Sequence, residues 1–131
     1  MSQVNDDAIE KLVELATINK DIEVVWIYGS RAVGTHKVHS DYDIAIAFKN
    51  FSLSSLDKYL RPNTLAIEWC EATGLSSEQL SVIDINQVPV YLAFNVVEYG
   101  KVIYQAKTAR AFTEQDRIYA LYEYQKRESG S

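Results

Sequence analysis

Tyr28-Gly29-Ser30-Arg31-Ala32-Val33-Gly34-Thr35-His36-Lys37-Val38-His39-Ser40-Asp41-Tyr42-Asp43-Ile44-Ala45-Ile46 is the most informative stretch of the chain. The residues before it, Ile22 to Tyr28, are β-branched and aromatic and stop at Gly29, so they read as a buried strand. Tyr42 to Phe48 reads as a second strand whose apolar run is broken by Asp43. Between the two lies a loop with a short helix, from Ser30 to Ser40. Side chains at i and i+2 leave the same face of a strand, so Asp41 and Asp43 are expected side by side. Two carboxylates on one face repel each other. The pairing becomes favourable when a divalent cation sits between them and oxygen donors of a substrate, because Mg²⁺ prefers one or two carboxylates together with phosphate oxygens and water. A pair of such ions holds the attacking and leaving oxygens of an in-line displacement at phosphorus.

Gly29 and Ser30 offer the complementary half of such a site. Glycine lets the backbone approach a ligand closely, and a serine opening a helical turn presents N–H and hydroxyl donors to an anion. The same Gly-Ser pair also suits a strand end followed by a helix cap. Arg31 is expected either to contact a phosphate oxygen or to serve as a surface or salt-bridge residue. A third acid, Asp84, is the charged residue in the apolar run Leu80 to Ile85. It reads either as a metal ligand or base that takes the proton of an incoming hydroxyl, or as a turn acid near Asn86. His36 and His39 stand at i, i+3 in the loop, which is too few ligands for a zinc site.

Further out, Asn5, Asp6 and Asp7 are cap candidates for an amphipathic helix through Ile9, Leu12, Val13 and Ala16 to about Asn19. Ser54 and Ser55 open a helical region to Thr73 that Pro62 splits or restarts and Gly74 ends. Leu80 to Ile85 is a third strand. Asn86 is a candidate N-cap, with Pro89 in the first turn, for a helix over Val88 to Tyr99, whose valines and Phe94 would also suit a strand. Val102 to Tyr104 is a fourth strand, Thr108 to Arg127 a last helix, and the Glu-Ser-Gly-Ser tail is expected to fray. The order describes an α+β (α/β-like) fold: a small mixed sheet of about four strands flanked by helices, in a single domain with its core over about residues 5–105.

The chain has 131 residues, 47% hydrophobic and 24% charged, which is enough for one buried core. Its net charge of −5 makes it a poor binder of nucleic-acid backbone. The charge is uneven: residues 1–100 hold seven Lys and Arg against fourteen Asp and Glu, and residues 101–131 hold six against four. The single cysteine, Cys70, cannot pair within the chain, no secretory signal is visible and no apolar run approaches the roughly 20 residues of a membrane span, so a cytoplasmic location is expected.

Gly29-Ser30, Arg31, Gly34 and Ser40-Asp41-x-Asp43 together resemble the signature of the DNA polymerase beta-like nucleotidyltransferase superfamily, in its minimal nucleotidyltransferase (MNT) branch. Asp84 falls where the family's third carboxylate is expected, so that every essential position looks filled. Tyr42, between the aspartates, is bulkier than the family pattern leads one to expect. The resemblance implies that Ser30 contacts the triphosphate of ATP, that Asp41 and Asp43 bind two Mg²⁺ ions and that Asp84 assists the nucleophile. Small members are similar to the antitoxin half of HEPN/MNT toxin–antitoxin pairs. For these the resemblance implies transfer of AMP from Mg-ATP to a tyrosine of the partner HEPN ribonuclease toxin. Two other readings stay open: a nucleotide-binding antitoxin that blocks its partner sterically, and a small-molecule nucleotidyltransferase of the aminoglycoside type, for whose added substrate-binding domain 131 residues leave little room. An acidic body would also meet a basic RNA-cleaving partner favourably.

Overall fold

The computed structural model describes residues 7–37 and 39–130. In chain order the elements are α1 (Asp7–Thr17), β1 (Ile22–Tyr28), α2 (Ser30–Val33), β2 (Tyr42–Phe48), α3 (Ser55–Thr73), β3 (Leu80–Asp84), α4 (Val90–Tyr99), β4 (Lys101–Gln105) and α5 (Arg110–Gly130). The four strands form one sheet in the order β3-β2-β1-β4. β1 is antiparallel to both neighbours and β2 is parallel to β3, so the sheet is mixed.

The two central strands are apolar on both faces because helices cover both. Val25, Ile27, Ile44 and Ile46 face one way and pack with Leu12 and Ala16 of α1 and Leu65 and Trp69 of α3. Val24, Trp26, Ala45 and Ala47 face the other way, against Ala93 and Val96 of α4 and Ile118 of α5. Each of the fully buried isoleucines contributes about 1.5–3 kcal/mol by leaving water. The alanines at 45 and 47 leave room for α4 and α5 to approach the sheet closely.

The local signals act as their chemistry suggests at several boundaries. The Ser54 hydroxyl accepts a hydrogen bond from the Asp57 N–H and caps α3, and Gly74, with φ of 82°, closes it in the left-handed region. Asn5 and Asp6, expected as caps of α1, lie outside the described residues, and Asp7 is the first residue of the helix. Three expectations need correction. Pro62 does not divide α3, which runs unbroken from Ser55 to Thr73. A proline removes one backbone hydrogen bond, and the helix is held on either side of it: Leu65 and Trp69 in the core beyond, Arg61 ion-paired just before. Asn86 does not cap α4; the helix begins at Val90, after Pro89. Asn86 instead accepts a hydrogen bond from the Arg110 guanidinium and donates to the Glu114 carboxylate. Finally, α5 continues to Gly130, so Glu128 and Ser129 are helical.

That Arg110 guanidinium is the tie between α5 and the sheet. It donates to Glu23 of β1 at 2.9 Å, to the Phe48 carbonyl at the end of β2 at 2.9 Å, to Asn86 at 2.7 Å and to Glu114 at 2.8 Å. Arg117 adds a second cation on Glu114. Burial pushes the Glu114 carboxyl up, but hydrogen bonds from Arg110, Arg117 and Asn86 more than offset this and hold it below the usual glutamate range.

A carboxyl held low in the folded state stabilises the fold above its unfolded pKa, here 4.5, and loses that contribution as the pH falls through the folded value. Replacing Glu114→Gln leaves the buried Arg110 short of its countercharge and should lower stability at pH 7 by about 3 kcal/mol. Urea melts of both proteins from pH 7 to pH 3 check this: the deficit of the variant should shrink as the medium becomes acid.

Candidate active site

Gly29 ends β1 with φ of 76° and ψ of −156°, a conformation that a side chain disfavours. There is a second reason for glycine at this place. A Cβ built on Gly29 would overlap the Asp43 carboxylate, which lies directly against the Gly29 backbone. Tyr28 pairs with Asp43 across the antiparallel β1–β2 ladder, and this register brings the Gly-Ser turn to the acids. Ser30 opens α2 at the same strand end, half-buried, with its carbonyl accepting from the Thr35 N–H.

Asp41 is exposed and immediately precedes β2; Asp43 is its second residue. Burial raises the Asp43 carboxyl above its ordinary value, and the charge of Asp41 raises it further. The Tyr28 hydroxyl, across the ladder, is pushed up to about 12 by burial and by the Asp43 charge. All three shifts of circumstance, two acids together, partial burial and a neighbouring phenol that stays neutral, describe negative charge without a compensating cation. The donor set therefore fits a divalent ion that brings its remaining ligands with it, as Mg²⁺ does when bound to a polyphosphate.

Two of the expected site residues lie elsewhere. Arg31 is buried and turned to the other side of the turn. Its Nε and Nη2 donate to the Ser40 carbonyl at 3.2 and 2.9 Å, and its guanidinium stacks 3.8 Å from the centroid of the Tyr42 ring. It holds the Ser40 carbonyl and the Tyr42 ring on either side of Asp41, and so acts on the candidate site from behind. This also accounts for the bulky residue between the aspartates: Tyr42 points into the α1/α3 core and supplies the platform on which Arg31 lies.

Asp84 does not join Asp41 and Asp43. In the parallel β2–β3 pair Tyr42 stands opposite Leu80, Asp43 opposite Ser81 and Ile46 opposite Asp84. Residues in register share a face, so Asp84 lies on the face opposite to Asp43 and three residues, about 10 Å, farther along the strand. There it accepts from the Asn86 N–H at 2.8 Å and faces Arg61 at 3.7 Å. Arg61 in turn contacts Asp21 at 3.0 Å and lies over the Phe48 ring. Burial raises the Asp84 carboxyl in spite of the Asn86 N–H, Arg61 and Arg110. Of the two readings open from the sequence, the turn acid near Asn86 is the one the geometry supports. Among the described residues no three His, Cys, Asp or Glu side chains come together as a metal site.

The residue beside Asp43 on β3 is Ser81, which sequence reasoning passed over. A signal was present: with the first residues of the two strands aligned, Asp43 is at an even position and Asp84 at an odd one, so they cannot share a face. The register needed to use that parity is a tertiary fact. Ser81 is exposed on the edge strand and lines a groove of about 790 Å³ between β3 and α3.

Comparison with known proteins bears on this geometry. The model of the family described as polymerase beta, nucleotidyltransferase, matches residues 10–109. Among solved structures, a chain of a toxin–antitoxin complex with AMP-PNP is 19% identical at a TM-score of 0.66, covering 95% of this chain and 91% of that one. A chain of the MntA–HepT toxin–antitoxin complex is 17% identical at 0.68, covering 95% and 92%. A chain from the complex of tri-AMPylated Shewanella oneidensis HEPN toxin with MNT antitoxin is 17% identical at 0.67, covering 98% and 92%. At these identities the likeness is one of fold. No curated protein matches the chain.

Substitutions at two positions probe the site without any ligand. Gly29→Ala should destabilise the fold through both the positive φ and the overlap with Asp43, and combining it with Asp43→Ala should recover part of the loss. Because Asp43 is raised in the folded state, its charge opposes folding above that raised value and is silent in acid. Asp43→Asn should accordingly raise the melting temperature at pH 7, by a few degrees at most. Below the ordinary carboxylate pKa the gain should vanish. Thermal unfolding of the four proteins, monitored by circular dichroism, measures both effects.

Proposed function

Since the chain belongs to the polymerase beta nucleotidyltransferase family, we propose that it is an antitoxin that transfers AMP from Mg-ATP to a tyrosine hydroxyl of a partner HEPN ribonuclease toxin and so silences it. The observation that carries this reading is the contact of the Asp43 carboxylate with the Gly29 backbone, with Asp41 beside it. On this reading the contact joins a phosphate-binding backbone after the end of β1 to cation-binding carboxylates at the start of β2. Further support comes from the fold likeness to chains of toxin–antitoxin complexes, one with AMP-PNP and one with a tri-AMPylated HEPN toxin.

On this reading Asp41 and Asp43 hold the Mg²⁺ that arrives with ATP, and Gly29 and Ser30 hold the triphosphate through backbone and hydroxyl donors. When bound, the cation neutralises phosphate charge and favours attack at the α-phosphorus. The tyrosine oxygen forms its bond to that phosphorus, the bond to the β-phosphate oxygen breaks, pyrophosphate leaves and the phenolic proton is released. Arg31 has no direct part; it holds the loop that carries Asp41.

One observation favours a second reading. Asp84 faces Arg61 on the opposite face of the sheet from Asp43, so the third carboxylate implied by the family resemblance does not stand with the pair. An antitoxin that binds nucleotide and blocks its partner sterically needs the pair alone.

Incubating the chain with α-³²P-ATP, Mg²⁺ and the HEPN protein encoded beside it tests both. Label should move to the toxin, and Asp41→Asn with Asp43→Asn should abolish the transfer and restore ribonuclease activity. Labelling absent from the wild type, with neutralisation kept by the double variant, would decide for the steric reading.

A further inference from the structure

The register of β2 and β3 changes the composition of the candidate site. We infer that the site, with nucleotide bound, holds one divalent cation, and that Ser81 occupies the place where a third carboxylate would be needed to hold a second. The inference rests on the reading of Asp41 and Asp43 as cation ligands given above.

Asp43 has two lateral neighbours on its own face of the sheet, Tyr28 on β1 and Ser81 on β3, each in direct register. Strands in a sheet are about 4.8 Å apart, so a side chain at 81 reaches the same space as the Asp43 carboxylate. The alternation is unambiguous on both sides of this position. Leu80 and Val82 pack with the α1/α3 core, Ile83 with the α4/α5 core, each matching the face of its β2 partner. Ser81 and Ile83 are therefore the β3 residues on the Asp43 face, and Ile83 packs against the apolar core.

The consequence follows from how the two ions of such a site are held. A cation carried by ATP takes several of its oxygens from the triphosphate, so two protein carboxylates complete it. A second ion, on the side of the incoming hydroxyl, has fewer phosphate oxygens and depends on protein donors. Two dications about 3.5–4 Å apart also repel, and an additional negative charge between strands β2 and β3 would offset that repulsion. The Ser81 hydroxyl is neutral, Tyr28 is a phenol and Asp84 lies on the other face. Ser81 is exposed and its strand is the edge of the sheet, which leaves room for a longer acidic side chain without disturbing either core.

Counting Mn²⁺ on the full-length chain tests this without relying on turnover. The chain is saturated with a non-hydrolysable ATP analogue, retention of the analogue is measured by equilibrium dialysis, and bound Mn²⁺ is counted from the loss of the free-ion paramagnetic resonance signal. Wild type should retain the analogue with one Mn²⁺ per chain, Ser81→Asp with two, and the isosteric neutral Ser81→Asn with one. Two Mn²⁺ on the wild type, or a single one on Ser81→Asp that still retains the analogue, would overturn the inference and leave the proposed nucleotide site intact. A wild-type chain that retains neither analogue nor Mn²⁺ would overturn the site reading itself, and the inference with it. Should Ser81→Asp fail to fold, Ser81→Glu takes its place with the same expected count.

Discussion

The antiparallel ladder between β1 and β2, with Tyr28 held opposite Asp43, is the constraint on which both cores and the candidate site depend. Strand pairing has a period of two, so this one register assigns every side chain of the central strands to a face. It sends Ile27, Ile44 and Ile46 towards α1 and α3, and Trp26 and Ala45 towards α4 and α5. At its end it presses the Asp43 carboxylate against Gly29, where only a residue without a Cβ fits. A slip by one residue would bury the aspartate in an isoleucine core and separate it from the Gly-Ser turn.

The sheet treats its acids differently at its two ends, and the contrast separates structure from chemistry. At the far end, Glu114 and Asp84 face guanidinium groups. Arg110 ties β1, the end of β2, Asn86 and α5 into one hydrogen-bonded cluster, and Arg61 links Asp21 to Asp84. Glu114 is held below its usual range because burial is outweighed by three hydrogen-bonding partners. Burial raises both Asp84 and Asp43, but the Asn86 N–H, Arg61 and Arg110 work against it at Asp84, whereas the Asp41 charge reinforces it at Asp43. Charge that the fold neutralises itself belongs to the scaffold. Charge that the fold concentrates is suited to an external cation.

Most of the element order was legible because it rests on local chemistry. Strands β1 and β2 announce themselves by β-branched and aromatic runs, α3 by its Ser54 cap and Gly74 stop, and both boundaries agree with the fold. The misreadings share a cause. Pro62 interrupts a helix by local rules, yet tertiary anchors at Arg61, Leu65 and Trp69 hold it continuous. Asn86 has the chemistry of a cap, yet the Arg110–Glu114 pair takes its side chain. Arg31 has the chemistry of a phosphate ligand, yet the Ser40 carbonyl and the Tyr42 ring engage it from the buried side.

By itself the sequence set Asp41 two residues before Asp43 and both after a Gly-Ser turn, a spacing that keeps the two charges close whatever the strand packs against. The third strand was a different matter. Leu80-Ser81-Val82-Ile83-Asp84 alone does not say which of its residues stands beside Asp43, because its register with β2 is set by packing between elements distant in the chain. Only the tertiary structure decided that Ser81 is the neighbour and that Asp84 faces Arg61, because strand register is set by which faces pack.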